Sequence, residues 1–242
     1  MGGSDDDEDA FDDEKPRHEV QLSGYQIGQT QVTQGLYKAV MGENPSENPA
    51  SDQHPVERVS WFDAVRFCNA LSRACGLKEA YTIGDGDEPE GSCRFDVHGF
   101  RLPTEAEWES AAKAGQDFKY SGSNNAYELA WHDGNSGNNT HPVAQKKPNA
   151  WGLYDMSGNV WEWCWDWYDE YEYKNRVRWS GDKMTIVNQP EGPKTGVHRM
   201  RRGGSCYCGT WDQRSSYRSR YEPEDGFGND GFRLVLPSPS PA

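Results

Sequence analysis

Two carboxylates near the middle of the chain are spaced so that they could bind a metal ion. Asp155 and Glu162 lie on either side of a turn-forming sequence, Ser157-Gly158-Asn159. This spacing lets both carboxylates and the intervening main-chain carbonyls converge on one point, and a ligand set made only of oxygen suits a hard cation such as calcium. A structural alternative stays open, in which Asp155 caps the turn and Glu162 pairs with an arginine near Arg233.

The cysteines are the second candidates for metal chemistry. Cys206 and Cys208 flank Tyr207, and if this segment is a strand, both thiols point to one side. They could bind a soft metal, but two thiolates alone make an incomplete site. The chain has 6 cysteines, too few for a disulfide scaffold, and no pair of CxxC motifs for zinc. The 6 histidines show no HxxxH or HExxH spacing, and GxSxG and phosphate-loop motifs are absent.

Composition narrows the class of protein that positions these residues. The 242-residue chain contains 10 Trp, 12 Tyr and 8 Phe, which predicts an aromatic core, and its 26 Gly and 14 Pro predict many loops. The net charge is -14 and no basic stripe is visible, so we expect no nucleic-acid partner. No stretch reaches the roughly 20 apolar residues of a membrane span. We therefore expect contact with a membrane only if a lipid anchor has been removed from this sequence.

Half of the net negative charge lies at the N-terminus. Residues 1–15 hold eight carboxylates and one lysine, a net charge of -7. Such a run repels itself and has little to bury, so residues 1–17 are predicted to form a flexible acidic tail or linker. We expect residues 18–236 to form one domain, followed by a Pro/Ser-rich tail at residues 237–242.

Capping signals predict three helices in this domain. Thr33 is expected to cap a first short helix. Ser60 and Asp63 form a capping box for a second helix, and Thr104 and Glu107 open a third by the same logic.

Alternating patterns predict the strands. Residues 18–31 and 81–100 are expected to contain short strands. Residues 161–167 repeat with the period of two that is typical of a strand, and every second residue is a tryptophan: Trp161, Trp163, Trp165 and Trp167. We expect these tryptophans to pack in the core, and the alternative is an exposed platform for a ligand.

Three long segments carry a resemblance to a known family. They are GFRLPTEAEWESAAKAG at 99–115, NAWGLYDMSGNVWEWCWDWY at 149–168, and the RRGGS and GFRLV segments between 201 and 235. In order and spacing they resemble the formylglycine-generating-enzyme, or sulfatase-modifying-factor, family, and the likeness covers nearly all of residues 18–235. The resemblance implies an α+β, C-type-lectin-like fold with short helices, small sheets and extensive loops.

The resemblance also implies a structural calcium site in this chain. In the enzymes the matching motif holds calcium. The corresponding ligands here would be Asp155, Glu162 and the main-chain carbonyls of Gly158 and Val160.

The oxidising enzymes of the family use two cysteines, a few residues apart after the GGS strand, to bind copper and the substrate thiol. Cys208 could match the first of them, but Gln213 stands five residues further on, where the second cysteine would be. We therefore expect no copper and no enzyme activity. The alternatives are a copper-dependent thiol oxidase and a structural or assembly module of the same family.

The C-terminal segment resembles the variable proteins of diversity-generating retroelements, in which adenine-directed mutagenesis rewrites asparagine codons. A frame of RRGGS, RSSYR, Pro223 and GFRLV encloses short patches of mixed chemistry. The predicted ligand-binding residues lie within about 206–230: Cys206, Tyr207, Cys208, Gly209, Trp211, Asp212, Tyr221, Glu222, Asp225, Phe227, Gly228 and Asn229.

This second resemblance implies a non-catalytic display protein on a rigid scaffold. Tyr207, Tyr221 and Phe227 would anchor an unknown protein or surface ligand, because aromatic side chains give large contact area at low entropy cost. Asp212 and Asp225 would tune polarity. Variable proteins are displayed as lipoproteins, so we expect a location at the cell surface or outer membrane, and a monomer.

Overall fold

The structure is a computed structural model that describes residues 1–4, 6–47, 49, 51–84, 91–181 and 183–238. Most of the predicted tail at 237–242 lies outside these residues. The helices are α1 (Gln34–Met41), α2 (Trp61–Ala74), α3 (Glu105–Lys113), α4 (Ala126–Leu129) and α5 (Glu172–Arg176), with 3₁₀ turns at Asp12–Glu14 and Thr210–Gln213. The strands are β1 (Val20–Gln21), β2 (Tyr25–Ile27), β3 (Tyr81–Ile83), β4 (Gly91–Cys93), β5 (Trp161–Trp167), β6 (Trp179–Ser180), β7 (Lys183–Met184), β8 (Val187–Asn188), β9 (Arg199–Arg202), β10 (Ser219–Tyr221), β11 (Asp230–Gly231) and β12 (Val235–Pro237).

The largest sheet has four strands in the order β10-β9-β5-β11. β9 is antiparallel to both of its neighbours, and β11 runs parallel to β5. Elsewhere in the described residues the strands pair two by two: β1 with β8, β2 with β12, β3 with β4, and β6 with β7. These short helices and small sheets form the α+β, C-type-lectin-like fold that the sequence predicted. None of the described helices is long and apolar enough to cross a bilayer.

The three predicted helix starts are confirmed. The Thr33 side chain accepts a hydrogen bond from the Leu36 amide at the start of α1. α2 and α3 each begin with a reciprocal capping box, in which the cap hydroxyl and the carboxylate three residues later accept each other's main-chain N–H bonds. Local chemistry therefore sets these boundaries, because each cap satisfies main-chain donors that a helix leaves unpaired.

The tryptophans of β5 pack in the core, as expected. Trp163 is fully buried and its Nε1 donates to the Val59 carbonyl at 2.9 Å. The Arg199 guanidinium lies between two rings, 3.7 Å from the centroid of Trp61 and 3.5 Å from that of Trp167. The intervening residues of β5 are also buried, so both faces of the strand are covered. The tryptophans therefore form no exposed platform.

Buried ion pairs run through this core. Five arginines contact carboxylates with almost no exposure on either side: Arg101–Glu107, Arg202–Glu109, Arg214–Glu14, Arg218–Glu105 and Arg233–Glu162. Removing one partner of such a pair leaves an uncompensated buried charge, which is strongly destabilising. The arginines of the RRGG and GFR motifs thus act as scaffold.

The structure corrects the prediction that residues 1–17 form a flexible tail. Glu14 is fully buried and forms a bidentate pair with Arg214, at 2.6 and 2.8 Å. The Phe11 ring lies edge-on to Trp211 and Tyr217, with both centroid distances 5.9 Å. The tail prediction counted only repulsion among neighbouring carboxylates. Arg214 and Lys119, which are distant in sequence, pair with Glu14 and Asp9 and neutralise part of that charge, so the segment packs against the body.

Candidate ligand-binding surface

The turn after β9 holds its main chain through buried contacts. Gly203 and Gly204 have positive φ values of 94° and 73°, and a side chain at Gly204 would clash with the Asp212 carbonyl. The fully buried Gln213 donates from Nε2 to the Ser205 carbonyl at 2.8 Å. The Cys206 amide donates to the Asn159 carbonyl at 2.9 Å. These contacts position the turn without using the side chain of Tyr207, which is 49% exposed.

The segment between β10 and β11 is anchored in the same way. The Phe227 carbonyl accepts from the Arg58 amide at 2.9 Å and from the Asp230 amide at 3.0 Å. Asp230 is itself buried and pairs with Arg201 at 2.7 Å. The Phe227 ring is 48% exposed and lies edge-on to Tyr221 at a centroid distance of 5.1 Å. The main chain is therefore fixed, whereas the ring faces outward.

The two segments meet in space. Asn229 donates from Nδ2 to the Ser205 hydroxyl at 3.0 Å and so connects the second segment to the turn. Tyr207 and Gly228 line a shared cavity of about 250 Å³, together with Glu47, Glu57, Asn139 and Thr140. Burial raises the pKa of Tyr207, and the nearby Cys206, Glu57 and Glu47 add to this effect. Glu47 and Glu57, which sequence reasoning did not single out, make this cavity acidic.

Most of the predicted ligand-binding residues reach solvent. Tyr207, Trp211, Glu222, Asp225 and Phe227 are exposed, and Cys208, Gly209, Asp212, Tyr221, Gly228 and Asn229 are partly exposed. Cys206 is fully buried, so its inclusion in the surface was wrong. The Cys206 main-chain amide also donates to the Asn159 carbonyl, so the residue is held against the body of the protein.

The predicted arrangement of the cysteines is also corrected. Cys206 and Cys208 lie in a turn and not in a strand, and they differ in exposure. Burial raises the pKa of the Cys206 thiol to about 12, and burial also raises the pKa of Cys208. A thiolate is the reactive and metal-binding form of cysteine, so both environments disfavour that chemistry.

Trp211 has aromatic neighbours that the sequence did not reveal. Besides Phe11, its ring faces the Lys119 ammonium at 5.6 Å and the Arg214 guanidinium at 5.1 Å. Tyr217 joins the same cluster through Phe11. The only sequence signal for Phe11 was a lone aromatic residue in an acidic run. The N-terminal segment therefore supplies part of the surface around Trp211.

The predicted calcium ligands surround a side chain instead. The Gln31 Nε2 atom lies 3.2 Å from the carbonyl oxygens of Asp155 and Gly158, and 3.0 Å from the carbonyl oxygen of Val160 and Glu162 Oε1. The Gly158 and Val160 carbonyls and the Glu162 carboxylate meet at this point, but Asp155 contributes its main-chain carbonyl and not the predicted carboxylate. The Asp155 carboxylate accepts from the Ala144 amide instead. Of the structural alternative, the pairing of Glu162 with an arginine is seen, and the arginine is Arg233. Sequence reasoning missed Gln31.

As arranged, these residues do not fit a bound calcium ion. Calcium–oxygen distances are about 2.3–2.6 Å, and the Gln31 nitrogen occupies the point that the four oxygens share. Burial raises the pKa of the Asp155 carboxyl to about 6, and that carboxyl accepts from the Ala144 amide. In the described part of the chain, His, Cys, Asp and Glu side chains form no group of three or more that could hold a metal.

The fold and the site together define a C-type-lectin-like protein with a surface built from two anchored loops. A family model described as the sulfatase-modifying factor enzyme 1-like domain matches residues 1–237, and the chain belongs to this family. The match includes the N-terminal segment that packs on Trp211.

Individual relatives differ in what they do. The chain is 39% identical to the solved structure of Treponema denticola variable protein 1, with a TM-score of 0.82, covering 91% of this chain and 87% of that one. It is 41% identical over 207 residues to the chaperone protein LppX of Paenibacillus barcinonensis, covering 71% of this chain and 74% of the relative. It is 32% identical to the formylglycine-generating enzyme of Thermomonospora curvata over 75% of this chain but only 55% of the enzyme.

Proposed function

We propose that the chain is a non-catalytic binding protein that presents a diversified ligand-binding surface, formed by residues 207–212 and 221–229. One observation carries the proposal: buried partners hold the main chain of both segments, while Tyr207 and Phe227 face solvent. Side chains at such positions can change without loss of the fold, as in antibody loops on a sandwich scaffold. The similarity to the treponemal variable protein supports the proposal.

The thiol-oxidase alternative has weaker support in the site. Gln213 occupies the position expected for a second cysteine, and its amide is used to hold the Ser205 and Cys208 carbonyls. An oxidase would need Cys208 as an accessible thiolate that binds Cu(I). Titration of the thiols with and without Cu(I) separates the two functions, because metal protection of Cys208 would favour the oxidase.

Diversification is tested by sequencing codons 206–230 and the flanking DNA across many cells. We expect substitutions at exposed or partly exposed positions such as Tyr207, Asp225 and Phe227, and a near-copy of the segment that differs at adenine positions. The buried anchors Gln213 and Asp230 should stay constant. A uniform segment without a template copy would contradict a diversified surface.

A second candidate function is assistance to one fixed partner protein, which the 41% identity to a chaperone favours. This function would use the same surface but requires that residues 206–230 do not vary between cells. The double variant Tyr207→Ala, Phe227→Ala should then fail to bind a partner that the unaltered chain captures from its own cells. Its melting temperature should stay unchanged. Loss of stability instead of binding would indicate a purely structural role for these rings.

Location and assembly complete the proposal. Display at the cell surface, an unknown protein or surface ligand as partner, and a monomeric state follow from the likeness to variable proteins. Light scattering coupled to size-exclusion chromatography measures the oligomeric state directly, and surface proteolysis of intact cells measures display.

A further inference from the structure

Outside the binding surface, the most unusual chemistry lies around the Gln31 side-chain amide. Four oxygens surround it, and we call them the oxygen cage: the main-chain carbonyls of Asp155, Gly158 and Val160, and Glu162 Oε1. Gln31 is 1% exposed and lies between β2 and α1. Its Nε2 atom is within hydrogen-bond distance of four oxygens, although an amide group has only two N–H hydrogens. The cage therefore offers four acceptor oxygens to only two N–H donors.

We propose that the Gln31 amide takes the place of a bound cation in this chain, so that the fold does not depend on divalent metal ions. The distances carry the first step. All four N···O separations are 3.0–3.2 Å, the range of N–H···O hydrogen bonds. A calcium ion would draw the same oxygens in by about 0.4–0.9 Å, to about 2.3–2.6 Å.

The charge of the cage carries the second step. Glu162 is the only carboxylate whose oxygen contacts the Gln31 amide among the described residues, and Arg233 binds both of its oxygens, at 2.6 and 2.7 Å. Trp108 Nε1 also donates to Glu162 Oε2 at 2.7 Å. The remaining acceptors are neutral carbonyls. Calcium sites gain affinity from ligand charge, and here a buried arginine has already compensated that charge.

Neighbouring structure fixes the main chain next to Gln31. The amide of Val32, the next residue, donates to the Phe232 carbonyl at 2.9 Å, and Arg233 follows directly after Phe232. Gln31 and Arg233 therefore reach the cage from two paired segments. The Gln31 Oε1 and Asp155 Oδ1 atoms find no hydrogen-bond partner among the described residues. Rotation of the Gln31 side-chain amide would aim Oε1 at the cage. The experiment must therefore distinguish an Nε2 group that donates hydrogen bonds from an Oε1 atom that coordinates a cation.

Thermal unfolding of the full chain tests the inference, with CaCl₂ alone as the probe after treatment with a chelator. The unaltered chain should melt at the same temperature in chelator and in millimolar CaCl₂. Gln31→Glu should melt lower in chelator, by roughly 5–10 °C, because a carboxylate then faces four oxygens. CaCl₂ should recover most of that loss, and calorimetric titration should detect calcium binding only in this variant.

Gln29→Glu is the matched control, because Gln29 is exposed two residues away and, within the described residues, its Nε2 reaches only the Gly152 carbonyl. It should behave like the unaltered chain in both buffers. If Gln31→Glu does not fold without metal, Gln31→Ala provides the second variant: it also vacates the shared point, and it should gain melting temperature in CaCl₂.

Two results would overturn the inference. A calcium-dependent rise in the melting temperature of the unaltered chain would show that Gln31 coordinates the ion through Oε1. Folded Gln31→Glu and Gln31→Ala proteins that both ignore calcium would show that the cage is no cation position, so that the amide replaces nothing. Neither result bears on the surface formed by residues 207–229.

Discussion

Asp166 is a buried acid whose partners do not fully compensate its charge. Its Oδ2 atom accepts from the Glu105 amide at 2.6 Å, and its Oδ1 atom has no partner in the described part of the chain. Burial and the nearby Glu105 carboxylate raise the pKa of Asp166 to about 7. Glu105 differs because Arg218 and Arg202 surround it, and they hold its pKa below the ordinary value despite burial.

Asp166→Asn should therefore stabilise the protein in a pH-dependent way. An acid with a raised folded-state pKa contributes stability that is complete below about pH 4 and is lost as the pH rises through about 7. Asparagine cannot ionise, so the variant should gain on the order of 2–4 kcal/mol relative to the unaltered chain between pH 4 and pH 8. Urea unfolding at both pH values measures the gain, and Asp225→Asn is the exposed control. A difference in unfolding free energy between Asp166→Asn and the unaltered chain that does not change with pH would contradict a raised pKa at Asp166.

Arg233→Met tests the buried pairs at the same scale. Arg233 and Glu162 are both fully buried. The variant leaves the Glu162 carboxylate uncompensated, and we expect a loss of about 3–5 kcal/mol in the free energy of unfolding. Arg73→Met removes an exposed pair with Glu79 and should cost less than about 1 kcal/mol. Equal losses in the two variants would mean that the buried pair is not special.

At the scale of elements, the turn after β9 and the segment between β10 and β11 combine a fixed main chain with exposed side chains. The helix starts at Thr33, Ser60 and Thr104 were predictable because each depends on residues adjacent in sequence. The turn at Cys206 was not, since its shape depends on Gln213 and Asn159.

Tyr207→Ser combined with Phe227→Ser should leave stability nearly unchanged, within about 1 kcal/mol, because both rings are about half exposed. Trp163→Ala, on the adjacent strand β5, removes a fully buried ring and should cost roughly 3–5 kcal/mol. Thermal and urea unfolding measure both. A loss in the double variant as large as that of Trp163→Ala would assign the two rings to the core and would count against a display surface.

At the scale of the whole molecule, the N-terminal segment belongs to the folded body. Glu14 joins Arg214, and Phe11 joins Trp211 and Tyr217, so residues at opposite ends of the chain form one cluster. The carboxylates behind the net charge of -14 are therefore not all in solvent, because some of them, such as Glu14, are buried and paired with arginines.

Glu14→Gln should cost about 3–5 kcal/mol, because it leaves the buried Arg214 guanidinium without its anion. Glu8→Gln makes the same chemical change at an exposed position of the same acidic run and should have almost no effect. Chemical unfolding of the two variants at one pH gives the comparison. If Glu14→Gln is as neutral as Glu8→Gln, the segment acts as the linker that its composition suggests.

The sequence by itself determined the fold class, the helix starts and the strand at 161–167. These features depend on short-range chemistry: a cap and its donor, a period of two, or a long motif in order. The meeting of the Gly158 and Val160 carbonyls with the Glu162 carboxylate has the same origin, because the three lie in one turn and the strand that follows it. The Asp155 carboxylate, which was predicted to join them, accepts from the Ala144 amide instead.

Only the tertiary structure decided what lies opposite these residues. Gln31 reaches the oxygen cage from more than a hundred residues away, Arg214 reaches Glu14 across 200 residues, and Cys206 turns inward beneath its own loop. Sequence spacing carries no information on such contacts, because the cost of burying a charge or an amide depends on partners that folding brings together. The acidic run therefore looked like a solvated tail, although one of its carboxylates is an internal ion-pair partner.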